Sequence, residues 1–563
     1  MAKTKKTRRL AALPLGGVGE IGKNLMTYEC DGSHIAVDCG VSFPNERHPG
    51  VDIVLPDTRH LRDLGDKLKG IFITHAHEDH IGALAYLWHE FDCPVYVSPF
   101  ARLVLEDKLK QNQQDANKRI VTIEEGKTYS AGAFDVEYIL MTHSIIEPYA
   151  LAMHTPYGTV VHTGDYKFDS NPLMVPKANQ QRLKELGEQG VLAMFGDSTG
   201  IFTTGSAGSE GDLAPRLAKI LEDAPQRLFF STFASNTPRI IEMVQAASKA
   251  GRKTAIIGRT AQKMIEYAKK CGYFPGSLTN WIISPEEAAG MPPEKTMVIA
   301  AGTQGEPRSS MTRLSQGDTL GGVKVERGDI ILLSSKMIPG NERPILDVCN
   351  NFVRLGATML TEEIADVHVS GHGGKEEMQQ MYSLLKPQIV VPVHGEEAHL
   401  MAQAEWAKAC GVPQTAQVRL GQKLVLSEPE STATPYIMNN TFPSGENYVD
   451  GFNILDDDAW ILQERRKMSF EGLVCVAFAV NEQTRELVGE PTIDTRGLID
   501  PQLQGDLTSL AAKRAQDVLE TVFPDGRITD LIQAQEAVTK TVRKVFAAER
   551  GKKPVVVVQA VQT

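Results

Sequence analysis

Thr74-His75-Ala76-His77-Glu78-Asp79-His80 is the stretch that decides the fold, because it packs three imidazoles and the Asp79 carboxylate into residues 75–80. It follows an apolar run, Ile71 to Ile73, and precedes a helix-like stretch. Histidine and aspartate suit divalent cations of borderline hardness. Alternate residues at a strand end, His75 and His77, can converge on one ion, while Asp79 and His80, at the start of a helix, face a second. A polar loop rich in histidine by chance is the bland reading, and the density of ligand groups counts against it.

Further along the chain, single candidate ligands close apolar runs in the same way. Leu140-Met141-Thr142-His143-Ser144 offers His143, Val160-Val161-His162-Thr163-Gly164-Asp165 offers Asp165, and Val390-Val391-Pro392-Val393-His394 offers His394. Each alone reads as a capping or hydrogen-bonding residue. Together with the cluster they complete two coordination shells. Loops at strand ends of layered α/β folds collect such groups, since a rigid sheet positions them while they stay accessible.

The chain of 563 residues is long enough for several globular units, each with its own core, and 42% of it is apolar. Short β-rich runs and glycine turns occupy the first two hundred residues. From about Gln226 to Asn350 regular strand and helix alternation follows, as in a parallel-sheet unit. Histidine-rich strand ends return at Val367 to Gly374 and Ile389 to Glu396, so the middle unit looks inserted into the first. Proline and small polar residues from about Ser427 to Asp450 have linker chemistry, and a small tail follows, with the strand Gly472 to Val480, helical stretches Leu503 to Phe523 and Asp530 to Ala548, and a last strand at Val555 to Val558. The expected partition is 1–220, 221–355 as the insertion, 356–426 completing the first domain, 427–449 as linker, and 450–563.

Seven dispersed cysteines without a C-x-x-C pair fit reduced thiols, and with no apolar run long enough for a membrane span the expected home is the cytoplasm. The basic start, with Lys3, Lys5, Lys6, Arg8 and Arg9, leads into no apolar signal region. A net charge of −11 counts against a polyanionic substrate if taken at face value. The objection weakens where phosphates meet metal ions and a local cleft rather than the average surface.

The order H-x-H-x-D-H, His143, Asp165, His394 resembles the metallo-β-lactamase hydrolases. Gly196-Asp197-Ser198-Thr199, Ser370-Gly371-His372-Gly373-Gly374 and Pro392-Val393-His394-Gly395-Glu396 are similar to three motifs of the β-CASP nucleases. Leu15 to Asn24 (L-G-G-V-G-E-I-G-K-N), Thr303 to Pro307 (T-Q-G-E-P) and Ser334 to Glu342 (S-S-K-M-I-P-G-N-E) point on to the ribonuclease J family. Gly200, Ile146 and Gly374 stand where that family often has Asn, Pro and Ser. The resemblance implies an α/β fold: a metallo-β-lactamase αββα sandwich with an inserted parallel-sheet β-CASP domain and a small α/β C-terminal domain.

It also implies roles. His75, His77 and His143 would hold one metal, Asp79, His80 and His394 the other, and Asp165 would bridge them. A pair of cations activates water without a protein nucleophile. His372 is the expected general acid, oriented by Asp197, and Asp38 is expected to hold ligand histidines by hydrogen bonds. Backbone N–H groups at Ser370, Gly371, Gly373 and Gly374 would approach a phosphate, and Ser235, Asn236, Arg239, Arg259, Arg308 and Lys336 are further substrate-binding candidates, with ordinary surface as the bland alternative. His162 and His368 are expected near the site, supporting the ligands rather than binding metal themselves. Zinc is the first choice of metal, with manganese or magnesium compatible.

The implied activity is a ribonuclease that cuts internally and from the 5′ end, acting on 5′-monophosphorylated single strands in RNA processing and mRNA decay. A homodimer or homotetramer and RNA-degradation partners are also implied. Alternatives are a β-CASP enzyme acting on DNA, a small-thioester or lactam hydrolase, and a catalytically silent RNA-binding scaffold; the last would show missing ligands, and none is missing.

Overall fold

A computed structural model describes residues 8–116, 119–338, 340–429, 434–500 and 504–563. Lys3, Lys5, Lys6, Pro339 and Leu503, singled out above, lie outside the described residues. Two compact units form: Met1–Ser42 with Leu55–Glu446, and Phe43–Val54 with Asn447–Thr563. Among the described residues no helix is long and apolar enough to cross a membrane.

The larger unit contains two facing sheets. In the first, Tyr436–Thr441, Gln422–Ser427, Leu10–Gly16, Leu25–Cys30, Ser33–Val37, Leu68–Phe72, Val95–Val97 and Ile120–Thr122 lie side by side in that order. In the second the order is Gln414–Thr415, Ile389–Val393, Val191–Asp197, Gly158–His162, Tyr149–Thr155, Phe134–Leu140 and Thr128–Ala131. Their inner faces share one apolar core: Tyr28 and Phe72 from the first sheet pack with Tyr138, Leu151, Phe195 and Val391 from the second, and the Tyr28 and Phe195 rings meet edge to face at 5.1 Å. Helices Gln180–Gln189 and Lys375–Leu385 cover the outer side of the second sheet through Leu183, Leu186, Met378, Met381 and Leu385. This is the αββα sandwich.

Val191–Asp197 runs parallel to Ile389–Val393, with Phe195 opposite Val391, although a whole further sheet intervenes between them along the chain. That intervening sheet is all parallel, in the order Ile282–Ile283, Lys253–Ile257, Thr296–Ala300, Leu228–Ser231, Ile330–Leu333, Thr358–Leu360. Its central strands are buried throughout, as a sheet with both faces covered requires. The last strand lies beyond residue 355, where the sequence reading ended this domain; three residues are too few to show a period.

The stretch 427–449 also differs from expectation. Tyr436–Thr441 pairs antiparallel with Gln422–Ser427 as a mostly exposed edge strand, with Pro435 and Pro443 just outside its ends, where proline removes no ladder hydrogen bond. A second strand, Glu446–Asp450, follows and pairs with Asn453–Asp456. Linker-like composition here belongs to an edge strand and its flanks.

In the smaller unit Leu473–Val480 lies between Leu487–Arg496, antiparallel, and Val555–Gln562, parallel. Val474, Val476, Phe478 and Val480 alternate inward onto helices Gln504–Val522 and Leu531–Arg550, through Ala511, Ala515, Leu519, Val538, Val542 and Phe546.

Candidate metal centre

The apolar strand Leu68–Phe72 delivers the chain to Thr74, whose N–H donates to Asp38 Oδ1 at 2.8 Å and whose hydroxyl donates to Asp38 Oδ2 at 2.9 Å. Asp38 is fully buried, with a φ of 62° that turns the chain sharply off its own strand. The same carboxylate lies 2.7 Å from His80 Nδ1, which aims Nε2 of that ring inward. Gly40 lies so close that a Cβ there would sit 1.7 Å from Asp79 O, so the 38–41 backbone packs directly on the single turn Glu78–Ile81.

Around this turn the ligand atoms converge. His75, His77, His143 and Asp165 place one donor atom each within 4.8 Å of one another, and so do Asp79, His80, Asp165 and His394. Asp165 belongs to both sets, and to a third of three residues with Asp197 and His372. His75 Nε2 and His143 Nε2 lie 3.0 and 3.2 Å from His77 Nδ1. His394 Nε2 stands 3.2 Å from Asp165 Oδ1 and 3.3 Å from Asp79 Oδ2, and His80 Nε2 stands 3.2 Å from Asp165 Oδ2. The strands of the second sheet supply Asp165 and His394, whose N–H donates to Gly17 O at 2.7 Å. The hydroxyls of Ser198 and Thr199 donate to His394 O at 3.2 and 2.8 Å.

Burial holds His75 and His143 well below the ordinary imidazole range and His77 at about 4, so these three present neutral nitrogens. Burial also disfavours charge on His80 and His394, but the Asp165 carboxylate outweighs it, raising the first well above its usual value and the second to about 10. His394 Nδ1 is buried without a hydrogen-bond partner, and Asp165 Oδ1, for all its closeness to His394 Nε2, forms no hydrogen bond of good geometry. Facing imidazole nitrogens and a shared carboxylate make a nitrogen and oxygen donor set that fits divalent cations.

His372 lies beside this cage. Its Nδ1 is 2.8 Å from Asp197 Oδ2 and 3.9 Å from Asp165 Oδ2, and its ring is 5.0 Å from that of His143. Burial opposes the charged form, but Asp197 prevails and raises its pKa. Asp197 closes the strand Val191–Asp197, and its Oδ1 accepts from Thr199 N at 2.9 Å.

Several expected substrate contacts are not what the structure forms. Gly373 N–H donates to Tyr166 O at 2.7 Å and Gly374 N–H to Glu377 Oε2 at 2.8 Å, so neither faces a phosphate. The glycines permit close packing instead: a Cβ on Gly371 would meet Ser144 Oγ at 2.6 Å and His143 Cε1 at 2.8 Å, and one on Gly374 would meet Gly205 O at 2.4 Å. The Ser370 hydroxyl accepts from His372 N at 3.1 Å. Asn236 is buried and caps the helix Thr237–Lys249 through Arg239 N, and Arg239 is buried against Glu210. Ser235 is half-buried; Arg259, Arg308 and Lys336 are exposed, and Lys336 is near enough to His399 to lower its pKa, after burial and against nearby acids. His162 sits behind the cage with Nδ1 2.9 Å from Tyr28 Oη, and His368 contacts Arg239.

Asn24 was not singled out by sequence reasoning, yet its Nδ2 lies 3.0 Å from Asp79 O and 3.1 Å from His80 Nε2. Its signal was there, as the last residue of the glycine-rich Leu15 to Asn24 motif.

Family profiles match in succession along the chain: metallo-beta-lactamase superfamily over residues 31–231, ribonuclease J beta-CASP domain over 225–352, Zn-dependent metallo-hydrolase RNA specificity domain over 359–417, and ribonuclease J C-terminal domain over 460–563. Ribonuclease J of Sinorhizobium meliloti is 40% identical over 555 residues, covering 98% of this chain and 96% of that relative. Ribonuclease J of Corynebacterium glutamicum is 36% identical over 507 residues, 90% of this chain and 70% of the relative. A solved structure described as a protein of unknown function from Enterococcus faecalis V583 shares the fold at a TM-score of 0.52 and 15% identity, covering 74% of this chain and all of that one. A caged donor set for divalent metal, an inserted parallel sheet and full-length relatives of one kind together place the chain in the ribonuclease J family of metal-dependent ribonucleases, acting on RNA.

Proposed function

We propose that this ribonuclease cuts RNA both internally and in the 5′ to 3′ direction from a 5′-monophosphorylated end, in RNA processing and mRNA decay, with two divalent ions at the centre. His75, His77 and His143 would hold one ion, Asp79, His80 and His394 the other, and Asp165 both. The observation that supports the count of two is the pair of four-residue donor sets that share Asp165; the third set within 4.8 Å, Asp165 with Asp197 and His372, has three members and contains the proposed general acid. Zinc is the first choice, since all but two of these ligands are imidazoles. Bound ions supply an activated water and balance charge developing on the phosphate.

The protein's own groups do the rest. A 3′-oxygen leaves poorly as an alkoxide, and His372, with its pKa raised, is placed to donate that proton. Asp197 keeps the ring turned through the 2.8 Å contact at Nδ1, leaving Nε2 as the atom that faces substrate. Asp38 and Asn24 hold His80 and Asp79 in place. Lys336, Arg308 and Ser235 remain the reading for substrate contact, because they are exposed or half-buried rather than engaged in the core.

The partition into 1–220, 221–355, 356–426 and 450–563 remains our reading of the domain plan, with the insertion's last strand carried past 355 and the expected linker 427–449 contributing the edge strand Tyr436–Thr441 to the first domain's sheet. A homodimer or homotetramer, association with other RNA-degrading proteins, and a cytoplasmic site of action complete the proposal; the seven free cysteines support the last.

The test is incubation of the protein with RNAs bearing 5′-monophosphate, 5′-triphosphate or 5′-hydroxyl ends, beside matched DNA, with and without chelator. Stepwise release of nucleotides from the monophosphorylated RNA alone, together with internal cuts in all three, is expected. End-independent degradation, or cleavage that survives chelation, would overturn it.

A further inference from the structure

No regular secondary structure covers residues 361–374, between the strand Thr358–Leu360 and the helix Lys375–Leu385, yet this segment carries His372. Its position therefore depends on tethers to other segments. On the downstream side Gly371 O lies 2.7 Å from His143 Nδ1, and Gly373 N–H donates to Tyr166 O. Upstream, the Ser334 hydroxyl donates to Val367 O at 2.6 Å and Arg216 pairs with Asp366 at 2.9 Å, and residues 368 and 369 next to them are gripped by the guanidinium of Arg239.

Arg239, 1% exposed, comes from the helix Thr237–Lys249 of the inserted domain. Its Nη2 donates to Val369 O at 3.1 Å and its Nη1 lies 2.9 Å from His368 Nδ1, while Nη1 also donates to Ser334 O at 3.0 Å. Glu210 takes the other edge of the fork, at 2.9 Å from Nε and 2.5 Å from Nη2. The chain of contacts continues. Glu210 N–H donates to Asp169 Oδ2 at 2.9 Å, Asp169 lies 3.3 Å from the buried Lys167 Nζ, and Lys167 exchanges backbone and side-chain hydrogen bonds with Thr142, next to His143.

We propose that Arg239 is a positioning residue for the reaction: it fixes the 368–369 backbone relative to the loops of His143 and Asp165, so that His372 meets the leaving oxygen. A buried ion pair adds little stability over apolar groups of like volume, because desolvating the charges offsets their attraction. The rigid planar fork, in contrast, offers five donors in fixed directions, which an apolar side chain or a lysine does not. The inference rests on His372 as general acid.

The test compares wild type with Glu210→Gln/Arg239→Met, which removes both charges and leaves no unpaired buried carboxylate, and with His372→Ala. Each is assayed at saturating metal on RNA, whose 3′-oxygen needs a proton to leave, and on bis(p-nitrophenyl) phosphate, whose phenolate does not. For the double variant we expect a melting temperature near wild type, an unchanged KM for RNA, and kcat on RNA lower by about 10²-fold with little loss on the aryl ester, the order of magnitude general acids contribute. His372→Ala should show the same selectivity. Equal losses on both substrates in the double variant, or none, while His372→Ala stays selective, overturn the role of Arg239. Equal losses in His372→Ala overturn the general-acid reading itself, and this inference with it. Should the double variant not fold, Arg239→Lys, which keeps the charge and loses the fork, carries the same comparison.

Discussion

His372 Nδ1 stands 2.8 Å from Asp197 Oδ2, at the edge of a cage in which Asp165 joins two sets of metal-binding atoms. The carboxylate favours the charged ring and fixes which nitrogen faces outward. Asp197→Asn keeps the shape and removes the charge, so kcat on RNA should drop about 10²-fold, within the range for misplacing a general acid, while RNA binding by gel shift stays near wild type. Full activity in this variant would remove Asp197 from the reaction.

His77 Nδ1 meets His75 Nε2 and His143 Nε2 inside the cage, so His77→Ala should abolish cleavage while leaving RNA affinity largely intact. Asp165→Ala should go further. Because Asp165 is common to both donor sets, elemental analysis of the purified variant should show metal content reduced at both positions, whereas His77→Ala should retain more.

Gly371 faces His143 and Ser144 so closely that Gly371→Ala must move one of them. Overpacking of this kind costs about 1–3 kcal/mol, and the strain falls on a proposed ligand. The expected result is a fall in activity at limiting metal that excess metal partly restores, with only a few degrees lost in Tm. An unchanged metal requirement would mean the loop yields elsewhere.

Glu137, on the strand Phe134–Leu140, lies 3.5 Å from His154 Nε2 and accepts from Arg182 Nε and Nη2 at 2.7 and 3.0 Å. The His154 hydrogen bond, with Arg182, outweighs burial and pushes its carboxyl down to about 2. A folded pKa below the unfolded value near 4.5 makes the ionised form the stabilising one. That contribution is fully present above pH 4.5 and disappears as pH falls through about 2. Glu137→Gln should therefore lower thermal stability at neutral pH, by about 1–3 kcal/mol for a charged hydrogen-bond network, and the gap from wild type should close as the buffer is acidified. A gap independent of pH would refute the assignment.

Much of the fold was legible because its strands end abruptly in polar residues. Ile71 to Ile73 before Thr74, and Val390 to Val393 before His394, announce both a buried strand and the group it delivers. The short strand Thr358–Leu360 and the edge strand Tyr436–Thr441 were not legible, the one too brief to show a period and the other reading as linker because its mostly exposed residues carry no apolar face. Asn24 escaped notice for a different reason: an amide carries no chemistry of its own until a neighbour such as His80 is brought to it.

The amino-acid sequence alone determined which side chains form the cage, since ligand chemistry belongs to residue type and each of the four residues of the 75–80 cluster that serve it stands two positions or fewer from the next. Tertiary structure alone decided what the accompanying residues do. Gly373 and Gly374, read as phosphate cradles, turn their N–H groups to Tyr166 and Glu377, and Arg239, read as a surface cation for RNA, lies buried between Glu210 and Val369. A donor's partner and a charge's burial depend on segments remote in sequence, and no local pattern encodes which of them folding will bring into contact.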